Sequence, residues 1–307
     1  SLRFDDIRPT GRVIRNLITV GALVSFVLTS AAAVGILGLN LALAVQLGAV
    51  LVVTGPTVIG PLLRHVRPSG NVDSILRWEG ILIDPVGATL AVLVFDAILI
   101  GDVERALGPT LVAVVVVAVT GIAVGWVGGI VLVQLLRRYM IPDYLQSAVT
   151  LMAVVALFVL SETVRHESGL LATTVMGIVM ANQRSVSLRR IVEFKENIGV
   201  LLISVLFILL AARLRIEDLT ALGGETVLFI AVLLFVVRPA AVLASTYGSP
   251  LTTGERVFLS WMAPRGIVAA AVASVFALRL EAAHMPQAEL LVPLTFAVIV
   301  ATCAIYG

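Results

Sequence analysis

Long apolar runs separated by short polar junctions dominate the chain. They lie near Val13–Leu37, Leu41–Leu62, Ser74–Ile100, Pro109–Leu136, Leu145–Leu160, Gly169–Asn182, Asn197–Leu214, Val227–Thr246, Val257–Leu278 and Leu290–Gly307. A helix needs about 20 consecutive apolar residues to cross a hydrocarbon core of about 30 Å. Most of the runs meet that length; the fifth and sixth fall short of it and the third and fourth exceed it. The pattern predicts an all-α, polytopic membrane bundle of about ten spans.

Composition agrees with the pattern. Of 307 residues, 60% are hydrophobic and 13% are charged, and mean hydropathy is +1.10. A soluble domain averages about 45–50% apolar and about 25% charged residues. Surface-to-volume scaling leaves such a domain too little interior to hide the excess, whereas lipid accepts it. A bundle of this kind is one cooperative unit, so residues 1–307 are expected to form a single transmembrane domain. The chain opens at Ser1 and stops at Gly307 inside an apolar run. It is therefore expected to be a piece of a longer protein, incomplete at both ends.

The net charge of +2 says less than where the charges fall. With the N-terminus in the cytoplasm, fourteen basic residues fall on the cytoplasmic side, among them Arg64, Arg67, Arg137, Arg138, Arg189 and Arg190. Only Arg105, Arg165, Arg213, Arg215 and Arg279 fall opposite, which satisfies the positive-inside rule. Arg238 and Arg265 remain inside spans. Cys303 is the sole cysteine, so an intramolecular disulfide is excluded. His65, His166 and His284 lie between apolar runs and read as surface residues.

Two spans are interrupted at matching places. The second contains Thr54-Gly55-Pro56 and the ninth contains Ala263-Pro264-Arg265-Gly266. Proline removes a backbone donor and glycine lets the chain unwind. Non-helical backbone at membrane depth survives only where protein or a wet cavity satisfies it. Spans one to three correspond to eight to ten in opposite orientation, so the pattern predicts inverted repeats with two discontinuous helices. Paired breaks of this kind point to an ion site at the midplane. A simple proline kink in each is the alternative reading.

Charged groups in the same region supply the chemistry. The third span reads Arg77-Trp78-Glu79-Gly80-Ile81-Leu82-Ile83-Asp84-Pro85. Asp84 sits well inside the apolar run, and Pro85 would free the carbonyl of Ile81. A carboxylate beside freed carbonyl oxygens is a hard oxygen site for an alkali cation or a proton. The expected ion- or proton-binding residues are Asp84, Thr54 and Gly80. Glu79 is about 140° round the helix from Asp84. It lies at the depth of Arg238, which predicts a structural ion pair. Gly55, Pro56, Pro264 and Arg265 are expected to form and support the helix breaks. Arg265 is read as holding the ends of its own broken helix or as repelling cations from the wrong path.

No P-loop and no His-Glu-x-x-His motif occurs, and no nucleophile–base pair is visible, so the chain does not read as an enzyme. No cofactor and no nucleic-acid partner is expected. The glycines of Gly125-Trp126-Val127-Gly128-Gly129 suit helix packing.

With these residues in view, the sequence resembles the monovalent cation:proton antiporter family. Val53-Thr54-Gly55-Pro56 resembles the broken helix that usually reads Thr-Asp-Pro. Trp78-Glu79-Gly80-Ile81-Leu82-Ile83-Asp84 resembles the segment usually written Glu-Ser-x-x-Asn-Asp. Ser168-Gly169-Leu170-Leu171-Ala172 with Gly177, and Trp261-Met262-Ala263-Pro264-Arg265-Gly266, resemble two further spans. The resemblance covers nearly the whole chain. It implies crossed discontinuous helices in a core domain that moves against a dimerisation domain, hence a homodimer in membrane lipid, with about three N-terminal helices absent here. It also implies that Asp84 is the ion-binding aspartate and that Glu79 and Arg238 are the family's buried pair. Gly55 replaces one usual acid, and Ile83 replaces the usual Asn. The function so implied is exchange of Na+ or K+ for H+ at a multi-pass cell membrane of prokaryotic type. With one central carboxylate the exchange is expected to be electroneutral. The alternative is a gated cation pathway without obligatory proton coupling.

Overall fold

The computed structural model describes residues 10–55, 71–100, 103–183, 185–212 and 223–306, with single positions at 59, 63, 66 and 68. Every regular element among the described residues is helical. In chain order they are α1 (Gly11–Leu37), α2 (Leu41–Val50), α3 (Val72–Ile100), α4 (Val103–Arg137), α5 (Gln146–Val164), α6 (Gly169–Asn182), α7 (Arg189–Ala211), α8 (Gly224–Ser245), α9 (Thr253–Trp261), α10 (Ile267–Ala282) and α11 (Leu291–Tyr306).

Six of the helical segments among the described residues are long and apolar enough to cross a membrane, and α2 and α6 are shorter apolar helices. Ten is thus a loose span count: α2 stops at Val50, and the ninth run is two separate helices, α9 and α10. The seventh run also begins earlier than its apolar residues suggest. Arg189 pairs with Glu193 at 2.9 Å across one turn and carries the helix through a charged segment.

The residues cluster into two compact units. One is built on Asp102–Leu206. Here α4 lies against α6 along a glycine stripe. A Cβ at Gly125 would stand 2.3 Å from the carbonyl oxygen of Ala172, and one at Gly129 would stand 2.9 Å from Cβ of Val179. Small residues let backbones approach where lipid offers no hydrophobic drive. Leu132, Leu136, Met176 and Met180 fill the space between these helices. Ser161 and Ser168, both buried, bond to each other at 2.7 Å.

The other unit comprises Ile7–Gly101 and Phe207–Gly307. Its two halves share a run of features. The helix α1 contains a π-helical turn at Leu17–Gly21 and α8 contains one at Leu233–Val237. Both are followed by a helix that stops short, α2 and α9. Gly21 packs on Ser245, and Nδ2 of Asn16 donates to the Ser245 carbonyl at 3.2 Å, joining α1 to α8. Gly48 of α2 packs on Ser30 of α1. Pro85 is accommodated within α3 without breaking it.

Candidate functional site

The two interruptions meet. Regular helix ends near Val50 and Trp261, and the backbone at 53–55 and 262–266 has no regular secondary structure. The Gly55 N–H donates to the carbonyl of Pro264 at 2.8 Å. A Cβ at Gly55 would lie 2.5 Å from Cα of Gly266 and 2.7 Å from its nitrogen. Two glycines therefore pass backbone to backbone, and a side chain at position 55 would force this crossing to shift. Pro56 lies outside the described residues.

Each truncated helix leaves carbonyls with no helical partner. Buried arginines supply the donors. Nη1 of Arg265 reaches the carbonyls of Val52 at 3.2 Å and Val53 at 3.0 Å, just beyond α2. This guanidinium serves the other interrupted span rather than its own, because the crossing brings the 50s carbonyls within its reach. The Arg265 backbone N–H donates to Oγ1 of Thr302 at 3.3 Å. Nε of Arg238 donates to the Leu259 carbonyl at 3.0 Å, and Nη2 to that of Met262 at 3.2 Å. A positive group at each helix C-terminus also complements the negative end of the helix dipole.

Arg238 has a second task. Its Nη1 donates to Oε1 of Glu79, and Nη2 reaches Oε2 at 3.0 Å, a bidentate pair with both residues buried. The fork geometry of guanidinium suits this double contact. Glu79 is thereby fully engaged. Charge, carbonyls and acid form one buried network tying α3, α8 and α9.

Asp84 is different. Its turn of α3 lies against the unwound 50s segment: Ile83 packs with Val52, and a Cβ at Gly87 would stand 2.3 Å from Cγ2 of Val53. Oδ1 of Asp84 is buried and has no hydrogen-bond partner among the described residues. Oγ1 of Thr54, on the facing segment, is likewise buried and unpartnered. Gly80, also buried, is one turn before Asp84 on the same helix face. Buried polar atoms are nearly always paired; among the described residues seven side-chain atoms are not, and these two oxygens are the ones that lie on segments packed together at the helix break. Gly266 and Thr302 belong to this site and were not among the expected residues. Gly266 stood beside Arg265 in the quoted motif, whereas nothing local distinguishes Thr302 from a threonine bonded to its own helix.

The family model described as sodium/hydrogen exchanger, transmembrane, matches residues 1–307. The K+/H+ antiporter NhaP of Alkalimonas amylolytica is 27% identical over 95% of this chain and 50% of its own length. The Na+/H+ antiporter ApNhaP of Aphanothece halophytica is 26% identical over 77% of this chain and 47% of its own. The chain thus spans about half the length of these curated relatives. The sodium proton antiporter MjNhaP1 of Methanocaldococcus jannaschii superposes with a TM-score of 0.81 at 20% identity, covering 98% of this chain and 80% of that one. This shared fold of membrane helices and the full-length family match agree, and the chain belongs to the transmembrane sodium/hydrogen exchanger family.

Proposed function

We propose that the whole protein exchanges Na+ or K+ for H+ across the cell membrane by secondary active transport, with Asp84 holding the two ions in alternation. The observation that carries this reading is that Oδ1 of Asp84 and Oγ1 of Thr54, on segments that pack together, are both buried with no hydrogen-bond partner among the described residues. A carboxylate and a hydroxyl are hard oxygen ligands suited to an alkali cation, and the same carboxylate takes a proton. One group cannot hold both well, and that competition couples the two fluxes. Relatives named for K+/H+ and for Na+/H+ exchange support either cation. We infer that the protein works as a homodimer, as the family resemblance implies, and cross-linking in membranes tests it.

Stoichiometry follows from the same site. Both oxygens of Glu79 are committed to Arg238, and Gly55 offers no acid. A single carboxylate loaded with one proton or one monovalent cation is neutral in both states, so exchange is one for one and insensitive to voltage. An uncompensated charge would feel about 2.3 kcal/mol per 100 mV. In proteoliposomes containing the full-length protein, an imposed pH gradient is expected to drive cation flux, and a cation gradient to drive proton flux. The rate should stay flat as the membrane potential is varied. Cation flux that ignores the pH gradient would instead favour an uncoupled pathway, and a rate steep in potential would refute electroneutrality.

A further inference from the structure

A cavity of about 320 Å³ opens in the unit built on Asp102–Leu206, where the end of α4 meets the start of α7. Its wall includes Arg137, Arg189, Arg190, Ser187, Tyr139 and Asp143. Arg189 is occupied by Glu193, and Asp143 accepts from Nε2 of Gln146 at 2.9 Å. Arg137 and Arg190 make no ion pair with any described residue, so the wall carries a surplus of positive charge. The start of α7 lines the same cavity, and Val192 is the first residue there whose N–H bonds back, to Leu188, leaving earlier donors of the helix start without a helical partner.

The rim is shaped at an energetic cost. Helix α4 closes with Tyr139 in the left-handed region, at φ 53°, where glycine is usual. Met140 bonds back to Leu135 and Tyr139 to Leu136, at 3.2 Å each. This fold-back places an 84% exposed phenol beside the arginines. Exposed Met140, Tyr144 and Leu145 continue the rim as an apolar edge. By the distribution of arginines this end faces the cytoplasm, the side on which basic pockets between membrane helices collect phosphate headgroups.

We propose that this cavity is a phosphate-binding site, formed by Arg137 and Arg190 with the N-terminus of α7, whose ligand is a phosphate carried by an anionic lipid headgroup or free in the cytoplasm. Guanidinium forks match phosphate oxygens in pairs, and the volume falls within the range of small-ligand cavities, roughly 300–1,000 Å³. The apolar edge adds acyl-chain contact when the source is a lipid.

The test uses delipidated full-length protein in neutral detergent, followed by native mass spectrometry and thermal melting. It is titrated separately with phosphatidylglycerol, phosphatidylcholine and inorganic phosphate. Phosphatidylglycerol is expected to bind roughly tenfold tighter than phosphatidylcholine and to raise the melting temperature. Competition by inorganic phosphate would identify a site for the phosphate alone; its failure to compete would identify the lipid as the source. Arg137→Gln with Arg190→Gln should remove the preference, whereas Arg165→Gln elsewhere on the surface should keep it and Arg137→Lys with Arg190→Lys, which retains the charge but not the fork, should keep it in part. If the double Gln variant does not fold, the wild-type titration still decides. Equal binding of all three ligands to the wild type, or an undiminished preference in a folded double Gln variant, overturns the proposal.

Discussion

Glu79 and Asp84 lie five residues apart on one helix and have opposite surroundings. The difference is angular, since five residues turn a helix by about 140° and send the two carboxylates to different neighbours. Glu79 meets Arg238, whereas Oδ1 of Asp84 meets no donor among the described residues. A buried ion pair adds little net stability, but removing one partner strands the other, at a cost on the order of 3–5 kcal/mol. Glu79→Gln and Arg238→Gln are each expected to lower thermal stability sharply in detergent. The double variant should lose less than the sum, with a coupling of about 1–3 kcal/mol. Strictly additive losses would show that the two side chains act independently. A second prediction concerns Gly55. Its missing Cβ leaves space already taken by backbone atoms of Gly266, which cannot swing aside as a side chain can. Gly55→Ala is expected to cost about 1–3 kcal/mol and to depress exchange, because it forces the crossing apart. Gly177→Ala, at a position with open space around its would-be Cβ, is the matched control and should melt at or above the wild-type temperature. Equal behaviour of the two alanine variants would contradict the close crossing.

At the scale of elements, α9 is held at both ends: Arg238 serves its last carbonyls, and a cap serves its first donors. The start of α9 carries a capping box: the Glu255 N–H donates to Oγ1 of Thr252 at 3.3 Å, and Oε2 of Glu255 accepts from the Thr252 N–H at 2.8 Å. That backbone donor holds the exposed Glu255 carboxylate, which precedes the apolar part of the span, below the ordinary carboxylate range. A depressed acid stabilises the folded state above its unfolded pKa and loses that contribution as pH falls through the folded value. Oγ1 of Thr252 also donates to Oε2 of Glu255 at 2.9 Å, so Thr252→Ala, which removes the hydroxyl, is expected to cost about 1 kcal/mol near neutral pH. The penalty in melting temperature should shrink below about pH 4, as Glu255 becomes protonated. A pH-independent penalty would mean that Glu255 takes no part. The breaks that end α2 and α9 were legible in the sequence because Gly and Pro stood in the middle of apolar runs. The partners that satisfy those ends were not. Arg265 reaching Val52 and Val53 is a contact across more than two hundred residues, which no local pattern encodes. The π-helical turns in α1 and α8 left no mark either, since Leu17–Gly21 and Leu233–Val237 read as ordinary apolar helix.

At the scale of the molecule, the helical, membrane-embedded fold was legible from the length and recurrence of the apolar runs alone. The chain's residues gather into two compact units. Apolar periodicity marks which segments meet lipid but carries no information on which helices share a core. The carboxylate, the crossing and both buried arginines lie in one of those units. Depth in the apolar run exposed Asp84, Glu79, Arg238 and Arg265 in the sequence, and the helix turn already set Glu79 apart from Asp84; the fold adds which atoms each acid meets. The central claim is that Asp84 is the group at which cation and proton compete. The most direct measurement is pH-driven cation flux through full-length Asp84→Asn protein in liposomes, with insertion and folding checked by its melting curve. The account predicts a variant that folds and has lost exchange; normal flux through folded Asp84→Asn protein would contradict it.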